Sequence, residues 1–135
     1  MSYDIYLTDP VTHRVIEIDE PHFMRGGTYK YGGDTELHLN ITYNYARWYY
    51  RKEAFGDGGI RSIYGLSGLE SIPVFTKVIY ELERLDEDMN EEEIERAKEK
   101  GVDGYWLPTK ENAIKPLFQL IAMAKMRPDG IWEGD

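Results

Sequence analysis

The stretch Glu36-Leu37-His38-Leu39-Asn40-Ile41-Thr42-Tyr43 alternates strictly between polar and apolar residues. Because successive side chains of a β-strand point to opposite faces, this pattern places all the apolar residues on one face. An alternation this regular is typical of an antiparallel sheet with one face on the core. We therefore predict a strand here, the fourth along the chain, whose core face carries Leu37, Leu39, Ile41 and Tyr43.

Three shorter β segments are predicted before this strand. Residues 3–8 and 14–19 have strand-like alternation, and the turn signal Asp9-Pro10 between them predicts a hairpin. Residues 22–27 are loop-like, and residues 28–31 form a short third strand. The glycines that follow predict the turn into the fourth strand.

The rest of the chain has mainly helical periodicity. We predict a helix over residues 45–55, capped by Asn44, and a short polar helix capped by Asn90 and ended by Gly101. Residues 60–65 are interpreted as one more short strand or as an extended connection.

Two longer apolar helices complete the pattern. Ser67 and Glu70 have the spacing of a capping box, but Pro73 is tolerated only in a first turn, so we start the main helix at Ser71 and end it at residue 85. The last helix starts at Pro108-Thr109. Its predicted inward face consists of Ile114, Leu117, Phe118, Ile121 and Ala122, and Trp132 beyond it is left either packed or free.

Strands followed by helices predict an α+β fold, with antiparallel hairpins or a meander in the N-terminal half packed against C-terminal helices. A length of 135 residues corresponds to one domain, residues 1–135. No stretch is long and apolar enough to span a membrane, and the N-terminus does not resemble a secretion signal. There is no cysteine, which excludes disulfides, thiol nucleophiles and cysteine-based zinc sites. These observations predict a cytoplasmic protein.

The net charge is −9, and residues 86–99 alone carry eight acids and two bases. This segment is interpreted as a solvated acidic helix, which could also meet a basic protein partner. The acidic balance argues against direct nucleic-acid binding, because phosphate contacts need clustered lysine and arginine.

Two segments are candidates for ligand binding. Arg25-Gly26-Gly27 combines a cation with backbone that can approach an anion closely, and Asn40–Tyr45 places amides beside tyrosine rings. The second segment is equally consistent with helix capping and sheet-edge hydrogen bonds. The chain is also rich in aromatic residues. Those that we place outside the core pattern, and so make available for a ligand or partner, are Tyr6, Tyr45, Trp48, Tyr49 and Tyr50.

A third candidate is a metal-binding or catalytic site. Glu36 and His38 share a strand face, and with His22 they could bind a divalent metal or support a small enzyme. Polar residues on a solvent-facing surface explain the same pattern, so we assign no metal site, no catalytic residue and no cofactor.

Four short segments resemble a group of small uncharacterised proteins from bacteria, phages and prophages. They are residues 22–29, 40–45, 70–73 and 127–130. The resemblance implies an accessory role such as counter-defence, in which small phage proteins sequester nucleotide signals or block a host protein. It brings no assigned activity and no catalytic residues.

The leading hypothesis is therefore a non-enzymatic protein that binds a nucleotide-derived small molecule. Arg25 would pair with the phosphate of this molecule. Asn40 and Asn44 would form hydrogen bonds with its polar edges, and Tyr43 or Tyr45 would stack on its planar ring. The full predicted ligand-binding set is Arg25, Gly26, Gly27, His38, Asn40, Thr42, Asn44 and Tyr45. The alternatives are a protein-interaction module, such as an inhibitor or a toxin immunity protein, and a small enzyme using Glu36 and His38. A homodimer is expected in preference to a monomer.

Overall fold

An antiparallel sheet lies at the centre of the fold. The computed structural model describes residues 1–24, 26–27 and 31–135. In this part of the chain, β1 (Ser2–Thr8) lies between β4 (His38–Thr42) and β5 (Ile131–Gly134) in a three-stranded sheet. A separate pair is formed by β2 (Glu17–His22) and β3 (Asp34–Glu36). The predicted α+β fold, with N-terminal antiparallel strands and C-terminal helices, is confirmed.

Residues 38–42 of the strand that the alternation predicts form β4, at the edge of this sheet. Leu37, Leu39 and Ile41 are fully buried, as predicted, and Ile41 pairs with Tyr3 of β1. Tyr43 leaves the strand and enters a 3₁₀ turn, where its ring packs edge-on against Tyr3 with the centroids 4.6 Å apart.

The predicted N-terminal hairpin is wrong in most of its pairing. β1 takes its ladder partners from β4 and β5, and a single bridge joins Thr8 to Val15. The predicted fourth strand is also divided at Leu37, whose N–H donates to Ile16 while its carbonyl accepts from Leu7. This break lets β3 pair with β2 and β4 pair with β1. Residues 28–30 of the predicted third strand lie outside the described residues.

The first predicted helix is shorter than expected. α1 (Ala46–Tyr49) is one turn long, and the chain continues through turns into a 3₁₀ segment, Gly56–Ile63. This segment includes residues 60–63 of the range 60–65, where a strand or extended connection was expected. The hydroxyl of Thr42 accepts a hydrogen bond from the Asn44 N–H at 3.2 Å and so caps the 3₁₀ turn Tyr43–Tyr45. α1 itself has no side-chain cap, so the predicted capping of this helix by Asn44 is wrong.

The main helix, α2 (Gly68–Arg84), begins three residues before the predicted start. Ser67 and Glu70 form the capping box that their spacing indicates, and these bonds outweigh the lost N–H of Pro73. α3 (Glu91–Glu99) is capped by Asn90, and Gly101 follows it with φ 84°. These two features of the polar helix are confirmed.

α4 (Lys110–Met126) is capped by Thr109 and packs against α2. Ile114 and Leu117 face inward as predicted, but Phe118 is 54% exposed. Leu120 and Met123 take the inward positions instead, which rotates the buried face relative to the predicted one. In the described residues, no helix has the length and hydropathy needed to cross a membrane.

The aromatic residues that we placed outside the core are mostly inside it. Tyr45, Trp48 and Tyr49 are fully buried. Each can be buried because its polar atom has a main-chain acceptor: Trp48 Nε1 donates to Pro108 O at 2.8 Å, Tyr49 Oη donates to Ala113 O at 2.7 Å, and Tyr45 Oη donates to Tyr105 O.

Trp132 joins β5 to α2. Its ring is fully buried, and its Nε1 donates to Ser71 Oγ at 2.7 Å, while Ser71 Oγ donates to Gly68 O at 2.8 Å. Because Ser71 is also fully buried, no water can replace its hydroxyl without rearrangement.

We therefore expect Ser71→Ala to lower the free energy of unfolding by about 1–3 kcal/mol, because the buried indole N–H loses its acceptor. Urea unfolding followed by circular dichroism measures this change. The exposed serine variant Ser62→Ala is the control and should differ from the parent by about 0.5 kcal/mol at most. Equal stability of the two variants would contradict the assignment.

Candidate functional site

A pocket of about 660 Å³ lies between the Gly26-Gly27 turn, the 3₁₀ turn Gly104–Trp106 and α4. One side consists of aromatic rings, and α4 supplies the other. The aromatic residues are Phe23, Tyr45, Tyr105 and Trp106, and the α4 residues are Asn112, Lys115, Pro116 and Gln119.

The charge of this pocket differs from that of the whole chain. The sequence contains 25 acidic residues, yet none is among the described residues that line the pocket. Lys115 is the one charged residue in this described lining. The described lining of this pocket therefore has one cationic side chain and no carboxylate.

The aromatic wall is held in place by the strand edge. Tyr105 Oη accepts from Thr42 N at 2.8 Å and donates to Asn40 O at 3.2 Å. Asn44 Nδ2 donates to Trp106 O at 2.9 Å, and Tyr45 Oη donates to Tyr105 O. Burial raises the pKa of Tyr105 to about 12, so its hydroxyl stays protonated and keeps its donor at neutral pH.

The two glycines allow the loop to lie directly on β4. Gly27 N donates to Asn40 O at 3.0 Å. A Cβ atom added at Gly26 would lie 1.4 Å from Asn40 O, and one at Gly27 would lie 2.8 Å from Asn40 Oδ1. Main-chain packing against the strand is thus sufficient to require glycine at position 26.

α4 presents a continuous stripe to the pocket. Asn112, Lys115, Pro116 and Gln119 have the i, i+3, i+4, i+7 spacing of one helix face. Asn112 also connects the 3₁₀ turn Gly104–Trp106 to α4, because its Nδ2 donates to Gly104 O and to Leu107 O, each at 2.9 Å.

The structure brings part of the predicted ligand-binding set to this pocket. Gly26, Gly27 and Tyr45 line it, and Asn44 supports it through Trp106. Arg25 lies outside the described residues, and its pairing with phosphate stays a prediction.

Asn40 and Thr42 do not project from an open polar face. They are 9% and 4% exposed, because the Gly26-Gly27 turn and Tyr105 cover their edge of the sheet. Asn40 Nδ2 donates to Ser2 Oγ at 2.6 Å and to Asp4 Oδ1 at 2.9 Å. The interpretation as capping and sheet-edge hydrogen bonding, left open by the sequence, describes these contacts.

His38 lies among carboxylates away from this pocket. Its Nε2 is 3.0 Å from Asp4 Oδ1, its Nδ1 is 3.8 Å from Asp34 Oδ2, and the ring of Tyr6 stacks on it at 4.5 Å. The expected third ligand, His22, places its Nε2 2.6 Å from Glu36 O. Within the described ranges, no group of three or more histidine, aspartate or glutamate side chains is arranged to hold a metal ion.

The acidic segment is attached to the fold by two arginines. Arg51 binds Glu87 through two hydrogen bonds of 3.0 Å, and Arg47 lies 3.3 Å from Glu93. α3 itself has no buried residue, as a solvated helix requires. Contact of this segment with a protein partner stays a prediction.

The sequence interpretation missed Tyr105, Trp106, Lys115 and Gln119. A signal existed for the two aromatics, because Gly104-Tyr105-Trp106 places adjacent large rings in the short connection between two helices. The polar positions of α4 gave a second signal, since they recur at helical spacing within an otherwise apolar helix.

Comparisons with protein-family models, curated proteins and solved structures find no significant match to this chain.

Three buried or half-buried tyrosines with raised pKa values predict that the fold is sensitive to alkali. Burial raises the pKa of Tyr3, Tyr64 and Tyr105 from 10.0 to about 12. The unfolded chain loses these protons first, so we expect stability to be retained below pH 10 and lost progressively between pH 10 and 12. Urea unfolding across this range measures the effect.

Tyr105→Phe is the informative variant for this effect. It should be less stable than the parent at pH 8, because Thr42 N loses its acceptor, yet it should lose less stability between pH 10 and 12. An identical alkaline loss in both proteins would show that Tyr105 does not contribute.

Proposed function

We propose that the protein is a non-enzymatic binding protein whose ligand is a nucleotide-like small molecule, held in the pocket of Tyr105, Trp106 and Lys115. The observation that carries this proposal is the combination of an aromatic wall and a single ammonium group, with no carboxylate among the described lining residues. A planar base and a phosphate need these two features together.

The volume and the exposed rings support this ligand class. About 660 Å³ lies within the range of pockets that hold small organic ligands. Phe23 and Trp106 are 63% and 50% exposed, so large apolar rings face solvent at this pocket. Stacking of a base would remove part of this surface from water, which favours binding.

Lys115 supplies the anion preference. This lysine belongs to the α4 wall of the pocket, whereas much of the negative charge belongs to residues 86–99. Arg25 precedes the Gly26-Gly27 turn in the sequence and, in this proposal, supplies a second cation for phosphate.

The biological setting of the proposal comes from the resemblance to bacterial, phage and prophage proteins. In that setting a cytoplasmic protein of this kind would sequester a nucleotide-derived signal as a counter-defence, without converting it. Native mass spectrometry with a panel of mononucleotides, cyclic nucleotides and ADP-ribose would detect a retained ligand mass. It would also count subunits and so test the expected homodimer. A ligand-free spectrum across the panel would overturn the nucleotide proposal.

We expect Lys115→Ala to weaken binding of adenosine 5′-monophosphate by about tenfold, because a charge-assisted contact to phosphate is lost. Quenching of tryptophan fluorescence reports the titration, since Trp106 lines the pocket while Trp48 and Trp132 are buried.

The matched control is Lys125→Ala, an exposed lysine near the end of the same helix. Its affinity should change by about twofold at most, because the residue does not line this pocket. Equal losses in the two variants would indicate a general charge effect and would contradict a phosphate contact at Lys115.

A further inference from the structure

We infer that the pocket prefers a nucleobase that carries an amino group, because Asn112 offers it hydrogen-bond acceptors and no free donor. This inference rests on the proposed function, since it names the kind of base that the same pocket would take.

The orientation of the Asn112 amide follows from its partners. Nδ2 lies 2.9 Å from Gly104 O and 2.9 Å from Leu107 O. Main-chain carbonyls only accept hydrogen bonds, so the NH₂ group must face them and both of its hydrogens are used. Oδ1 is the remaining polar atom of this side chain, and it can only accept.

The main chain of Asn112 has a carbonyl whose regular helical donor is missing. In an α-helix the carbonyl of Asn112 would accept from the N–H four residues later, but that residue is Pro116, which has no N–H. Asn112 and Pro116 both line the pocket. The proline therefore removes the regular helical donor of the main-chain carbonyl of Asn112, a residue that lines the pocket.

Acceptors of this kind recognise N–H donors. The exocyclic amine of adenine supplies two hydrogens in the plane of a ring that can stack on the aromatic wall. A purine without that amine would remove the same acceptors from water and give them no donor, which costs affinity. The chemical class that fits is thus an aminated base with a phosphate for Lys115.

A comparison of two ligands tests the inference without any variant. Adenosine 5′-monophosphate and purine riboside 5′-monophosphate differ only by the exocyclic amine. We expect the wild-type protein to bind the aminated nucleotide about tenfold more tightly in a fluorescence or calorimetric titration. Equal affinities would overturn the inference and leave the proposed function standing, whereas binding of neither nucleotide would overturn both.

Pro116→Ala tests the role of the missing N–H. Alanine returns the N–H to the Asn112 carbonyl, so we expect the preference for the aminated nucleotide to fall to about threefold or less. The matched control is Pro73→Ala, which makes the same change within α2 at a residue outside the described pocket lining. It should keep the wild-type preference.

Thermal unfolding of both variants separates binding from stability, because a folded Pro116→Ala protein with reduced preference supports the inference. An unchanged tenfold preference in that protein would overturn the role of the main-chain carbonyl.

Discussion

The main-chain carbonyl of Asn40 accepts hydrogen bonds from Gly27 N and from Tyr105 Oη. It lies on β4, the edge strand of the central sheet. An exposed strand edge offers unpaired groups to other chains, and proteins usually cover or shorten such edges. Here the Gly26-Gly27 turn and the turn before α4 cover it, and the space left between them and α4 is the pocket.

The pocket is therefore a consequence of how the sheet edge is closed. Tyr105 has two functions, because its hydroxyl completes the hydrogen bonding of β4 while its ring lines the cavity. Gly26 and Gly27 are similarly restricted by the strand before any ligand is considered. Some residues would therefore both stabilise the fold and contact a ligand. Variants such as Lys115→Ala separate these two roles better than variants of Tyr105.

The sequence was informative where structure depends on local pattern. The alternation around Leu39 and Ile41 predicted a buried strand face, the cap at Asn90 marked the start of α3, and Pro108-Thr109 was placed at the start of α4. It was less informative where tertiary contacts decide. Because of Pro73 we predicted the start of α2 three residues too late, at Ser71, although the capping box at Ser67 was recognised. Tyr45, Trp48 and Tyr49 looked exposed because α1 is too short for helical periodicity to indicate which side is buried.

Pairings between distant parts of the chain were beyond local reasoning. β5 has four residues, and its partner β1 lies more than 120 positions earlier. This pairing also bears on synthesis. A nascent chain cannot complete the central sheet until β5 has been translated, so until then β1 has an unpaired edge and the core lacks the indole of Trp132. Such an intermediate is a natural substrate for holding chaperones, and premature termination before residue 131 would leave an aggregation-prone product.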